Sequence, residues 1–241
     1  MTHQPTSGPG ALPAGATPLR ARTGMTPSWL DSPGGSRDRV LLYVRGGDFS
    51  LGSLLSHHAL AARAGCATGM RVLFPEYVAA PEPPYRAIVG DLLAVWRRLR
   101  HDHAIPAESI AVMGDSSGGN IMHGLFAALH RSGEELPGAA LMVSPAPELG
   151  FRGAITDQDG LGTLFSAAVV HRLFAGYPNG SDPRHLWATT GSAANAGLPS
   201  MLVQTGTAET LIRDWPRFTA EAAAAALAAA LRDEAATAAA G

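Results

Sequence analysis

Lysine is absent from this sequence: all 18 basic residues are arginine. Together with abundant alanine, glycine and proline, that bias reads as the codon usage of a GC-rich genome and carries no mechanistic weight. Against 20 acidic residues it leaves a formal charge of −2, so no basic excess points to a polyanion, and no nucleic-acid partner is expected. A single cysteine, Cys66, excludes an internal disulfide framework and a multi-cysteine metal site. It lies in an apolar helical stretch, Leu60 to Cys66, and is expected to be a buried, inert thiol. Charge-free apolar runs of about 18 residues are also missing, since Glu221, Arg232, Asp233 and Glu234 interrupt the Ala-rich tail, so no membrane span is expected. Met1 to Arg20 has no basic start followed by an apolar core. No secretory signal is read there, and a cytoplasmic protein is expected.

What is present is an apolar fraction of 46% in 241 residues, enough for one large domain. Residues 1–24 have turn-former composition and read as a flexible lead-in; a domain is expected over 25–219, and a low-complexity tail over 220–241. Regular structure is expected from about Pro27–Leu30. Short β-forming runs at Arg39–Arg45, Arg71–Tyr77, Glu108–Met113, Ala139–Val143 and Met201–Thr205 predict strands. Helical spacing at Ser53–Ala67, Tyr85–Arg100 and Gly118–His130 falls between the first four. That alternation implies an α/β protein with a mostly parallel, doubly wound sheet. Residues 146–195 lack strand character and read as an inserted helical lid, with Leu164–Phe174 its best helix. From Ala220 onward 14 of 22 residues are alanine, which favours helix with only Leu227 and Leu231 as larger apolar anchors.

The chemistry centres on Gly114-Asp115-Ser116-Ser117-Gly118-Gly119-Asn120, between a predicted strand and a predicted helix. A serine nucleophile on such an elbow needs small residues two positions to either side, and the helix N-terminus stabilises developing negative charge. The alternative is a glycine-rich phosphate or turn loop. Upstream, Tyr43-Val44-Arg45-Gly46-Gly47-Asp48-Phe49 follows the first strong strand. The amides of Gly46 and Gly47, with that of Ser117, could hold a tetrahedral oxyanion; taken alone, Gly46-Gly47 is equally a turn.

These residues resemble the hormone-sensitive-lipase (bacterial type IV esterase) family of α/β-hydrolases, from about Trp29 to Phe218. Arg45-Gly46-Gly47-Asp48 stands where the family has His-Gly-Gly-Gly. Glu76-Tyr77-Val78-Ala79-Ala80-Pro81-Glu82 stands for Asp-Tyr-Arg-Leu-Ala-Pro-Glu, and the elbow differs from Gly-Asp-Ser-Ala-Gly-Gly-Asn only at Ser117. The resemblance implies an α/β-hydrolase fold with a small helical lid. It places the catalytic acid on Glu209, in the segment Gly206 to Asp214, with Asp214 as runner-up. It implies an esterase or acetyl-hydrolase using Ser116 on small carboxylic ester or N-acetyl substrates, with no cofactor and no metal.

The base does not follow. In this fold the order is serine, acid, histidine, and none of the nine histidines follows Glu209. Residues 220–241 contain no Val, Ile, Phe, Tyr or Trp, so the family's last strand is also expected to be missing. His57, His58, His123 and His130 fall on crossover helices, where packing is the expected role. His101 and His103 precede the elbow strand, and His171 and His185 lie in the predicted lid. Asp48 would set a carboxylate near the developing charge unless Arg45 neutralises it. The expectation is an impaired hydrolase; the alternatives are a non-catalytic small-molecule binder on the same scaffold or a truncated or frame-shifted product. A sheet lacking its last strand exposes an edge, which predicts a homodimer.

Overall fold

The computed structural model describes residues 16–18, 25–47, 51–77, 85–145 and 198–206. Its organising strand is β3, Ser36–Val44, whose second half is an unbroken apolar run, buried from Val40 to Val44. Alternate residues of that run enter different cores: Val40, Leu42 and Val44 face one layer, Leu41 and Tyr43 the other. A strand buried on both faces belongs in the interior of a parallel sheet. It pairs in parallel with β4 (Met70–Glu76) on one side and with β5 (Ile110–Asp115) on the other. Beyond β5 lie β6 (Ala139–Val143) and β7 (Met201–Gln204), also parallel.

Two antiparallel strands extend the sheet past β4. These are β2, Thr26–Leu30, and then β1, Ala16–Pro18, giving the order β1-β2-β4-β3-β5-β6-β7. The expected strands are all present within a few residues, and the fold is the expected α/β-hydrolase arrangement. β1 lies inside the span read as a flexible lead-in. Its backbone ladder, Ala16 to Leu30 through Pro18 to Ser28, needs no apolar pattern of its own, so composition did not announce it.

Right-handed crossovers put the helices on opposite faces. α1 (Leu54–Thr68) packs Leu54 and Ala61 against Leu41, Tyr43, Val72 and Phe74. α2 (Tyr85–His101) and α3 (Ser117–Arg131) cover the other face, where Ile88, Leu92, Trp96, Ile121, Leu125 and Phe126 form the larger core. Cys66 is exposed, against expectation. The inner face of α1 runs through Leu54, Ala61 and Gly65, and one further residue turns Cys66 about 100° away. The expected lid over 146–195 and the tail over 220–241 lie outside the described residues.

The chain leaves β3 toward β4 and returns past it to β5, so the loops after β3 and β5 diverge. In an open α/β sheet that divergence, at the carboxyl ends of the strands, makes a crevice. The glycine loop after β3 and the serine after β5 both belong to it.

Candidate active site

Ser116 sits between β5 and α3 with φ +48° and ψ −125°, a conformation that L residues rarely adopt. Its amide donates to the carbonyl of Val143, and its own carbonyl accepts from Gly119. The elbow is tight enough to dictate glycines. A Cβ on Gly114 would stand 2.8 Å from the Gly118 carbonyl carbon, and one on Gly118 would stand 2.1 Å from the Val44 oxygen. Those contacts are with backbone, so no rotamer could relieve them. The G-x-S-x-G spacing therefore follows from packing α3 directly onto the ends of β3 and β5. Ser117, the first helical residue, is fully buried, and its Oγ has no hydrogen-bond partner.

The loop after β3 folds back on the elbow. A Cβ on Gly46 would lie 2.6 Å from Asp115 Oδ2 and 3.0 Å from Ser116 Cβ. Gly47 takes φ +114°, and its carbonyl accepts from the Leu51 amide. Arg45 ties Gly46 and Leu51 to the end of β4. Its guanidinium is buried against the Tyr77 ring, 3.9 Å from the centroid, and donates to the carbonyls of Gly46, Leu51 and Tyr77. The Tyr77 hydroxyl donates back to the Arg45 carbonyl at 3.0 Å. Asp48, expected to oppose the developing charge unless Arg45 neutralised it, lies outside the described residues.

The amides expected to receive an oxyanion are not equivalent. Gly46 N–H donates to Asp115 Oδ1 at 3.1 Å, so it is committed to the elbow's own carboxylate. The same oxygen accepts the Tyr43 hydroxyl at 2.7 Å. Burial first, and then the neighbouring carboxylate, push the Tyr43 phenol well above its ordinary value, so it remains a donor. Of the three expected amides, Gly46 alone is bonded to Asp115.

Sequence reasoning assigned His57 to packing, and the structure places it elsewhere. From the first turns of α1 its Nε2 reaches within 3.5 Å of Asp115 Oδ2. Its Nδ1 lies 2.8 Å from Ser56 Oγ and 3.4 Å from the Ser53 carbonyl. The Ser56 hydroxyl lies 2.9 Å from the Ser53 carbonyl as well and can turn its proton to either, so Nδ1 donates or accepts with the tautomer. A carboxylate only accepts, so Nε2 donates to Asp115. That bond is the chief cause of a pKa raised above the usual histidine value. The nearby Arg45 charge opposes that rise without reversing it. The Nε2 of His57 is therefore engaged with Asp115. The signal for it was its place one turn into the helix that follows the glycine loop; the signal for Asp115 was its position beside the nucleophile.

The helix bearing His57 is fixed at its start. Ser53 and Ser56 form a reciprocal capping box, and the Leu54 amide donates to Glu76 at the end of β4. Of the other described histidines, His103 meets the edge of Trp29, and His123 is buried in α3. Glu209, Asp214, His171 and His185 lie outside the described residues. Among the described residues, no group of three or more His, Cys, Asp and Glu could hold a metal ion, and no helix is long and apolar enough to cross a membrane.

A family model described as the alpha/beta hydrolase fold matches residues 41–237. That match runs past Phe218, where the resemblance was read to stop, and takes in most of the Ala-rich tail. The chain is 35% identical over 190 residues to an acetyl-hydrolase of Streptomyces hygroscopicus, covering 78% of this chain and 63% of that protein. It is 30% identical over 189 residues to an esterase of Acinetobacter venetianus, covering 76% and 61%. The chain thus spans about three-fifths of the length of these curated relatives. Among solved structures, an esterase from the bacterial hormone-sensitive lipase family superposes with a TM-score of 0.80 at 33% identity, covering 89% of this chain and 73% of that one.

Proposed function

Because the chain belongs to the α/β-hydrolase-fold family, in its hormone-sensitive-lipase-like branch, we propose that it is a serine esterase or acetyl-hydrolase. Its substrates are small carboxylic esters or N-acetyl compounds, as the names of its relatives suggest. The observation that carries this reading is the backbone of Ser116, held at φ +48° on a strand-to-helix turn whose neighbours are glycine by steric necessity.

In the proposed reaction Ser116 Oγ attacks the acyl carbon as its proton passes to solvent water, which in turn protonates the departing alcohol or amine. The carbonyl oxygen becomes an oxyanion facing the amides of Gly47 and Ser117, where the positive end of α3 adds to the stabilisation. Collapse expels the alcohol, and water then releases the acid from the acyl-serine. Glu209 is the proposed acid, whose role in a triad is to steady an imidazole. Within these 241 residues no histidine follows Glu209, and His57 has both nitrogens engaged. A polypeptide of this sequence is therefore expected to acylate slowly, by several orders of magnitude relative to an intact triad. Leu202, 64% exposed on β7 at the end of the described sheet, supports the proposal of a homodimer, which sedimentation velocity would test.

The deciding experiment is p-nitrophenyl acetate hydrolysis by the wild type and Ser116→Ala. Slow turnover that vanishes in the variant, with an acetyl group found on Ser116 by mass spectrometry, is expected. Equal rates in both proteins would overturn the serine mechanism.

A further inference from the structure

Among the described residues, the carboxylate of Asp115 ties the two halves of the crevice together. It belongs to the residue before the nucleophile, yet its Oδ1 accepts the Gly46 amide from the loop after β3, 69 positions away in sequence. We propose that Asp115 is a positioning residue that fixes the glycine loop against the elbow, with His57 Nε2 holding its carboxylate in place. This assignment rests on Ser116 being the nucleophile. It makes Gly47 and Ser117 the oxyanion donors, because the Gly46 amide is already occupied.

Three observations carry it. Gly46 is pressed so closely on the Asp115–Ser116 segment that a methyl group would meet Asp115 Oδ2 at 2.6 Å, the Asp115 carbonyl at 2.8 Å and Ser116 Cβ at 3.0 Å. A hydrogen bond across that contact sets the height of the following amide, Gly47, relative to Ser116. Next, the carboxylate is held from several sides: the Tyr43 hydroxyl and Gly46 amide share Oδ1, and His57 approaches Oδ2. Finally, the charges balance in the sense the reaction needs. A lone carboxylate beside an emerging oxyanion would repel it, whereas here the buried Arg45 guanidinium offsets its charge, and protonation of His57 adds a further positive charge. The groups facing His57 are Asp115 from β5, Arg45 from the glycine loop, and the neutral Ser53 and Ser56 from its own helix.

Asp115→Asn keeps an acceptor for Gly46 and Tyr43 but removes the charge, and His57→Gln removes the imidazole alone. In protein labelled with 15N-glycine and 13C-histidine, the wild-type Gly46 amide proton is expected well downfield, and the His57 midpoint above about 6.5. In Asp115→Asn the amide proton moves upfield and the midpoint falls toward the ordinary value. With p-nitrophenyl acetate, kcat falls about 10- to 100-fold in Asp115→Asn with KM changed less than twofold. The wild-type kcat also declines as pH rises through the His57 midpoint, and that decline is absent in His57→Gln. An unshifted Gly46 amide, or a wild-type kcat in both variants, would overturn the proposal. The nuclear resonance signals need no substrate, so a Ser116→Ala protein as active as wild type would sink the serine mechanism while leaving the Gly46 and His57 readings to judge the loop contact separately. Unchanged far-ultraviolet circular dichroism in Asp115→Asn guards against simple unfolding, and His57→Gln tests the largely buried pair without touching the Gly46 acceptor.

Discussion

At φ +48° and ψ −125°, Ser116 holds a backbone conformation that costs about 1–3 kcal/mol in a residue with a Cβ. Glycine adopts it freely, and the lost unfolded-state restriction offsets only about 0.5–1 kcal/mol of the gain. Ser116→Gly should therefore raise stability by about 1 kcal/mol, or roughly 2–4 °C in Tm for a domain of this size, while removing the nucleophile. Differential scanning calorimetry checks it, and a lower Tm would mean that the serine is not strained. Sequence spacing located this serine because close packing forces the glycines around it. The same spacing could not separate Gly46 from Gly47. Both have free amides on paper, and only a carboxylate on a strand 69 positions away decides which one faces outward. His57 was misread for a related reason: a histidine on an amphipathic helix gives no sign of which strand end it will reach.

At the scale of elements, the glycine loop is held at its base by a buried cation. Arg45 donates to three carbonyls, two in its own loop and one at the end of β4. Arg45→Met fills a similar volume but leaves the Gly46, Leu51 and Tyr77 carbonyls without that donor, at about 1–3 kcal/mol for each one that water cannot reach. A loss of about 3 kcal/mol in urea unfolding is expected, with faster proteolysis between residues 45 and 53; stability within 0.5 kcal/mol of wild type would show the loop to be held by other means. The element order itself was legible throughout β3 to β7, where burial on both faces writes apolar runs and helices write their own period. β1 was not, because a three-residue edge strand is made by backbone pairing alone.

Over the whole molecule, stability should carry a pH signature of the His57–Asp115 pair. The folded-state pKa of His57 is raised, so its contribution is complete below about 6.5, the unfolded value, and is lost as pH rises through the folded value. The stability difference between wild type and His57→Gln should accordingly be largest near pH 6 and shrink toward pH 9, measured by urea titration at several pH values. A difference that grows with pH would place the proton elsewhere.

The divergence of the chain between β3 and β5 has a kinetic side. β3, α1 and β4 can assemble from neighbouring sequence, but Tyr43 and Gly46 meet Asp115 only across separations of 72 and 69 positions. Closing so long a loop is slow relative to local pairing. Until β5 lies beside β3, the glycine loop lacks its Asp115 partner. The contacts that define the crevice therefore depend on the longest-range pairing among these strands.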